Sequence, residues 1–238
     1  MPPMNPAIAK LVEKQMRNWE IARSQGPVVD TRRPEVADFI AVSRAVGAGG
    51  AAGARIAGLL GETLGWPVFN KEILQAMAED DFTRERLYHS LDERDIGWLE
   101  ESLRSLMEGT FKKNDYFNKL TSTVLALARQ GPAVFRGRAV DLILPRGRGF
   151  RVRLIASRES CVRSYAEHHS LDPEAAREEL DRIEEERAEF VRRQFKIEAC
   201  SPDRHELTLN LDSFSPDQAV ELILRARDLH HQPGDAGR

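Results

Sequence analysis

Little in this sequence ties it to a membrane, a disulfide framework, a metal or a nucleic acid. Its two cysteines, Cys161 and Cys200, stand far apart in 238 residues and match neither a zinc nor a redox spacing. Such scarcity fits a reducing compartment, and a cytoplasmic location is expected. No apolar run approaches the ~18 residues of a membrane span, and the N-terminus shows no apolar h-region, so no secretory leader is expected. Lys and Arg (35) do not exceed Asp and Glu (38), giving a formal net charge of −3. There is thus no basic field of the kind that draws nucleic acid. His168–His169 and His230–His231 are adjacent pairs, which a helix splays about 100° apart. They lack the i,i+4 spacing of a metal pair, and no residue is assigned as a metal ligand.

What is present is 41% hydrophobic and 31% charged residues, the balance of a soluble globular chain with many solvated helices. A chain of this length can bury a sizeable core as one α/β domain, alone or with a small appendage.

Residues 39–57 organise the rest. Phe39-Ile-Ala-Val42 reads as a buried strand, Gly47, Gly49, Gly50 and Gly53 as a tight turn, and the Ala-rich run with Ile56, Leu59, Leu60 and Leu64 as a helix. Strand, glycine loop and helix form a phosphate-binding unit. Glycines let the backbone approach an anion, and the first-turn amides point at it with the helix dipole behind them. The backbone N–H groups of Gly47, Ala48, Gly49, Gly50 and Ala51 are the expected phosphate donors. The side chains depart from a nucleotide-triphosphate loop, G-x-x-x-x-G-K-[ST]. Aligned on Gly49, Arg44 replaces the first glycine, Gly50 the lysine and Ala51 the magnesium-binding hydroxyl. The plainer alternative is a strand-to-helix turn whose glycines serve close packing.

Ahead of this unit, Ala7–Arg23 reads as an amphipathic helix with Ile8, Leu11, Val12, Met16 and Trp19 on one face, packing on the domain or on a second subunit. Residues 24–34 read as a linker. After it, Trp66–Phe69 is a second strand and Asn70 caps a helix over Lys71–Ala78. Residues 79–109 are charged and helical, and Asp115–Arg129 is a further helix. Ala133–Phe135 is a third strand, Val140–Leu144 a short apolar segment, and Val152–Ala156 a fourth strand in which Arg151 and Arg153 flank Val152. Helices follow over Arg158–His168 and Pro173–Phe195. The second is capped by Asp172 and charged nearly all round. His205–Leu211 is a fifth strand and Pro216–Leu229 a terminal helix. Strands alternating with helices imply a parallel, doubly wound sheet with ligands at the carboxyl ends of its strands. Arg44, Asn70, Arg136, Arg138 and the 157–158 turn fall at those ends. Several arginines beside a helix start point to a polyanionic ligand.

Four stretches in this order resemble the cytidylate kinase-like family. They are Ile40-Ala-Val-Ser-Arg-Ala-Val-Gly-Ala-Gly-Gly50, Trp66-Pro-Val-Phe-Asn-Lys-Glu-Ile-Leu74, Val134-Phe-Arg-Gly-Arg-Ala-Val-Asp-Leu-Ile-Leu-Pro145, and the 151–212 block with Glu184–Ala188 and His205–Asp212. The likeness spans residues 36–225. Members of that family likewise carry glycine in place of the loop lysine, but usually Asp where Asn70 stands and Arg-Glu where Ala51 and Ala52 stand. The resemblance implies an α/β, P-loop kinase-like three-layer sandwich around a five-stranded parallel sheet. Residues 70–130 would be a helical insert that binds a nucleoside monophosphate, and residues 172–196 a lid. The implied layout is an N-terminal helix and linker over 1–35, the kinase-like domain over 36–230, and a disordered tail over 231–238.

The implied activity is ATP-dependent phosphoryl transfer to a pyrimidine nucleoside monophosphate, with ATP and Mg2+. The glycine loop would hold the donor phosphates. Arg138 would bind phosphate as the cation replacing the loop lysine, with Arg55 as the second choice. Arg187 and Arg192 would close over the reaction, and Arg44, Asn70 and Arg136 would face the acceptor. Arg193 is a further lid candidate whose simpler role is an i,i+4 pair with Glu189. The partners expected are nucleotides, with no nucleic acid or membrane, and a homo-oligomer through the N-terminal helix is open. The alternative is a regulatory module that binds a nucleotide without turning it over, because Gly50 and Ala51 remove two side chains that normally act in transfer.

Overall fold

The computed structural model describes residues 6–25, 36–91, 93–108, 115–137, 139–146, 148–198 and 201–231. Most of the expected linker, Arg138, Cys200 and residues 232–238 lie outside the described residues.

Five parallel strands form one sheet in the order β2-β3-β1-β4-β5, with β1 (Phe39–Arg44), β2 (Val68–Phe69), β3 (Ala133–Arg136), β4 (Phe150–Ile155) and β5 (Leu207–Asn210). The sheet is the one the strand–helix alternation implies. In a parallel sheet both faces are covered, and successive side chains take opposite faces. Phe39 and Ala41 join Phe69, Ala133 and Phe135 in one core. Ile40 and Val42 join Val134, Val152, Leu154 and Leu209 in the other. Helix α2 (Gly50–Leu64) and the terminal α10 (Pro216–His231) supply Ile56, Leu60, Ala219 and Ile223 to the second core.

The first core is built by α1 (Pro6–Gln25), α3 (Lys71–Glu79), α4 (Asp81–His89), α5 (Glu93–Glu108) and α6 (Asp115–Gln130). Asp80 ends α3 and caps α4, its carboxylate accepting from Thr83 N–H at 2.8 Å, and the charged stretch that follows divides into α4 and α5 where Ser90 ends α4. Arg129 of α6 and Asp95 of α5 form a buried ion pair at 2.6 Å that fixes the two helices together. Val140–Ile143, an unassigned apolar segment in the sequence, closes into a single helical turn, α7.

The apolar stripe of α1 is used within the chain. Val12, Met16 and Trp19 are buried in the first core, and Trp19 Nε1–H donates to Leu127 C=O at 3.3 Å. Gln15 Oε1 accepts from Val68 N–H at 2.8 Å, so α1 also satisfies an amide of the edge strand β2. Of the two packing partners open in the sequence, the domain itself takes this face. Trp19, 2% exposed, should therefore be a stability residue. Trp19→Ala is expected to cost about 3–5 kcal/mol in a urea titration, with the loss centred on α1 and α3.

Candidate functional site at the carboxyl edge of the sheet

β1 ends at Arg44 and runs directly into the glycine loop. Gly47, Gly49 and Gly50 take left-handed backbone, with φ of 78°, 66° and 47°. Inside the loop, Ala48 N–H bonds to Ala45 C=O at 3.1 Å and Gly50 N–H to Gly47 C=O at 3.0 Å. The first bond of α2 runs from Gly53 N–H to Gly49 C=O at 2.9 Å. Two of the five expected phosphate donors, the Ala48 and Gly50 amides, are thus engaged in the loop's own turns. Ala51, second in the helix, keeps the orphan amide of a helix start.

The glycines have a packing reason as well. A Cβ on Gly47 would lie 2.6 Å from the Cys161 carbonyl oxygen, and one on Gly49 would lie 2.4 Å from Leu211 Cδ1. Helix α8 (Arg158–His169) and the turn after β5 press on the loop's Cα atoms. Val46 and Ala48 meanwhile sit in a small third core with Cys161, Val162 and Ala166 of α8 and with Ala176 and Leu180 of α9 (Pro173–Phe195). Glycine content alone therefore does not decide between a phosphate cradle and a packed turn.

The arginines do more to decide it. Val42 pairs with Arg136 in the sheet register, and Arg44 lies two residues on, so both arginines leave the same sheet face. Arg44 Nη1–H donates to Gly50 C=O at 2.8 Å and to Ala48 C=O at 3.3 Å. Arg187 of α9 reaches over, its Nη1–H donating to the Arg44 carbonyl at 3.4 Å. Burial pushes the Arg44 pKa down, and the positive charges of Arg136 and Arg187 push it further, with the Cys161 thiol acting the other way. Two strands and the crossing helix thus bring Arg136 and Arg187 close enough for their charges to act on Arg44, beside the start of α2.

The other expected site residues are dispersed. Asn70 Oδ1 accepts from Ile73 N–H at 2.9 Å, the capping role read from the sequence. Arg55 is exposed on α2. Arg192 lies five residues beyond Arg187, about 140° round the helix, and faces Glu198 at 3.9 Å. Arg193 pairs with Glu189 in the i,i+4 geometry expected of it. Arg138 lies outside the described residues. Helix α9 is less polar than its sequence reads: Ala176, Leu180 and Val191 are buried. Its two ends are docked. Arg158 of α8 holds Asp181 at 2.5 Å and the Arg177 carbonyl at 3.1 Å, while Phe190 and Phe195 lie 5.9 and 5.6 Å from the Phe117 ring of α6.

A buried polar network beneath the edge escaped the sequence reading. Arg151, 0% exposed, donates from Nε to Asp141 C=O and from Nη2 to Leu144 and Pro145 C=O, at 2.8–3.0 Å. Arg204 pairs with the Asp141 carboxylate. His205, its side chain wholly buried, places Nε2 2.7 Å from Ser43 Oγ and 3.7 Å from Asp141 Oδ2. The available signal was the Arg-Val-Arg alternation over 151–153, which puts two arginines on one face of a central strand and so demands polar partners there. Burial, against the pull of Asp141 and with the push of Arg204 and Arg153, brings the His205 pKa down to about 4.

A family model for the cytidylate kinase-like family matches residues 39–213. No curated protein matches the chain. Among solved structures, the crystal structure of an uncharacterized protein from Eubacterium ventriosum ATCC 27560 superposes with a TM-score of 0.58 at 14% identity. The match covers 80% of this chain and 98% of that one. At that identity it shows a shared fold.

The His205 network makes stability depend on pH. His205 is neutral in the fold down to about pH 4, whereas the unfolded chain takes up that proton near the ordinary value of 6.5. The unfolded state binds more protons between these values, so the contribution is complete above pH 6.5 and is lost as pH falls to about 4. Melting temperature should fall more steeply over this window in the wild type than in His205→Gln. Parallel curves would show that His205 does not set the dependence.

Proposed function

The chain belongs to the cytidylate kinase-like family, and on that footing we propose that it is a nucleotide-binding phosphotransferase. ATP is the donor and a pyrimidine nucleoside monophosphate such as cytidylate the acceptor. The observation that carries the reading is the meeting of Arg44, Arg136 and Arg187 beside the first turn of α2. Three guanidiniums repel one another unless an anion lies among them, and planar forks suit phosphoryl oxygens. In the transfer, an acceptor phosphate oxygen forms a bond to the γ-phosphorus as the bond to the bridging oxygen breaks, releasing ADP. Positioning and charge stabilisation do most of the work.

Residues 70–130, which hold α3 to α6, would receive the monophosphate, with Asn70 and Arg136 at their border with the sheet. Residues 172–196 would be the lid. Since α9 is docked on α8 at one end and on α6 of the insert at the other, any closure would move α9 together with the helices it is docked on. Arg138 keeps its proposed place near the phosphates. The backbone on either side of it is left-handed, with φ of 81° at Gly137 and 53° at Ala139, a conformation that costs energy at a non-glycine residue and is common where a turn serves a site. Magnesium has less to hold it. Ala51 offers no hydroxyl, and among the described residues no group of three His, Cys, Asp or Glu could hold a metal ion. A divalent ion would ride on the nucleotide's own phosphates. Among the described residues no helix is long and apolar enough to cross a membrane, and a cytoplasmic, nucleotide-handling role is consistent with that.

The second reading, a module that binds nucleotide without turnover, is favoured by the internal bonds of the Ala48 and Gly50 amides and by Gly50 and Ala51 themselves. The test is a coupled assay of ADP release with each nucleoside monophosphate, with and without magnesium, run beside thermal-shift titrations of ATP. Turnover on a pyrimidine monophosphate is expected, at least tenfold slower in Arg138→Ala, which corresponds to about 1.4 kcal/mol of barrier. Stabilisation by ATP without turnover selects the module. Neither stabilisation nor turnover rejects nucleotide binding altogether.

A further inference from the structure

With glycine at position 50, no lysine branches from the start of α2. Arg44 sits six residues before Gly50, at the end of β1, yet its Nη1 donates to the carbonyl of Gly50 itself and to that of Ala48. The guanidinium therefore spans the loop and reaches the residue from which a loop lysine would branch. A second observation places it along the helix start. A Cβ on Gly53 would lie 3.0 Å from Arg44 Cδ and 3.3 Å from Nη1, besides 2.6 Å from the Ala48 carbonyl oxygen. A glycine in the first turn of an otherwise Ala-rich helix costs helix propensity, and here it makes room first for the Ala48 carbonyl and then for the arginine that bonds to it. The electrostatics point the same way. Arg44 is half-buried, and the charged side chains acting on it are Arg136 and Arg187, with no carboxylate among them. Both hydrogen bonds leave from Nη1, so Nε and Nη2 keep their donors uncommitted to described residues.

We propose that Arg44 is the phosphate-binding cation of the glycine loop, taking the lysine's place by folding back over the loop from the strand that precedes it. Its ligand is the polyphosphate chain of a nucleoside triphosphate, and the inference rests on the nucleotide-binding reading above. It shifts Arg44 from the acceptor side to the donor side of the site. It also relieves Arg138 and Arg55 of the lysine's role.

Isothermal titration with inorganic tripolyphosphate and with ATP, at several salt concentrations, tests it on the full chain. Arg44→Gln should weaken both ligands at least tenfold and flatten the salt dependence of binding, because one charge contact is gone, with a melting temperature close to that of the wild type. Arg44→Lys should recover part of the affinity and the full salt dependence. A mere clamp on the loop carbonyls predicts something else, namely a lower melting temperature in Arg44→Gln with an unchanged salt slope, and that result overturns the proposal. So does equal affinity in wild type and Arg44→Gln. Should Arg44→Gln fail to fold, Arg44→Lys is read alone: the lost fork should weaken tripolyphosphate severalfold, and wild-type affinity overturns the assignment. If the wild type binds neither tripolyphosphate nor ATP, the nucleotide reading itself falls, and this inference with it.

Discussion

The register of β1 governs the whole carboxyl edge. The strand is hydrogen-bonded to β3 on one side and to β4 on the other, and its alternate residues fill two different cores. A slip of one residue would exchange those cores, sending Phe39 and Ala41 where Ile40 and Val42 now pack. With the register so constrained, the last two residues of the strand have fixed and opposite destinations. Ser43 goes to the face that holds His205, and Arg44 to the face that holds α2 and the glycine loop. Structural polarity and candidate chemistry are thus separated by the pleat of a single strand.

Two arginines of neighbouring strands, Arg151 near the start of β4 and Arg44 at the end of β1, show what that separation means. Arg151 is surrounded by acceptors: the carbonyls of Asp141, Leu144, Pro145 and Arg148, with the Glu206 carboxylate nearby. A buried cation so fully compensated holds a turn in place and has little left to offer a ligand. Arg44 has two carbonyls and two facing cations. They differ in burial and in compensation, Arg151 being 0% exposed and Arg44 half-buried, and together these separate a residue that staples the fold from one with donors and charge left over for an anion.

Much of the architecture was legible from the sequence. Strand–helix alternation gave the parallel sheet, the Asp172-Pro173 pair marked the start of α9, and Asn70 read as the cap it is. Boundaries moved by a residue or two where a strand's last pairings depend on its neighbour, as at β2 and β5. Less legible was anything set by tertiary contact. Gly47 and Gly49 read as phosphate residues but also answer to Cys161 and Leu211, which follow them by more than a hundred positions. The charged surface of α9 hid a stripe that docks on both α8 and α6. Among the arginines at strand ends, periodicity could show that Arg44 and Arg136 share a face, but not that Arg187 joins them. Nor could it show that Arg44 folds back on the loop carbonyls of Ala48 and Gly50.

That backward fold bears on what the loop can do chemically. A lysine branching from the helix start is a flexible point charge that follows a phosphate as it moves. An arginine pinned by the carbonyls of Ala48 and Gly50 is a planar fork held in one place. Preorganised charge is the more effective kind when it is aimed at the transition state, and of little use when it is aimed elsewhere, because the protein then cannot reorganise cheaply around the transferring group. Arg187 is carried on α9, and its contact with the Arg44 carbonyl joins that helix to the end of β1. Arg187 thus reaches the loop from a helix docked on α8 at one end and on α6 at the other, so tertiary packing, and not the loop's own sequence, sets where its charge lies.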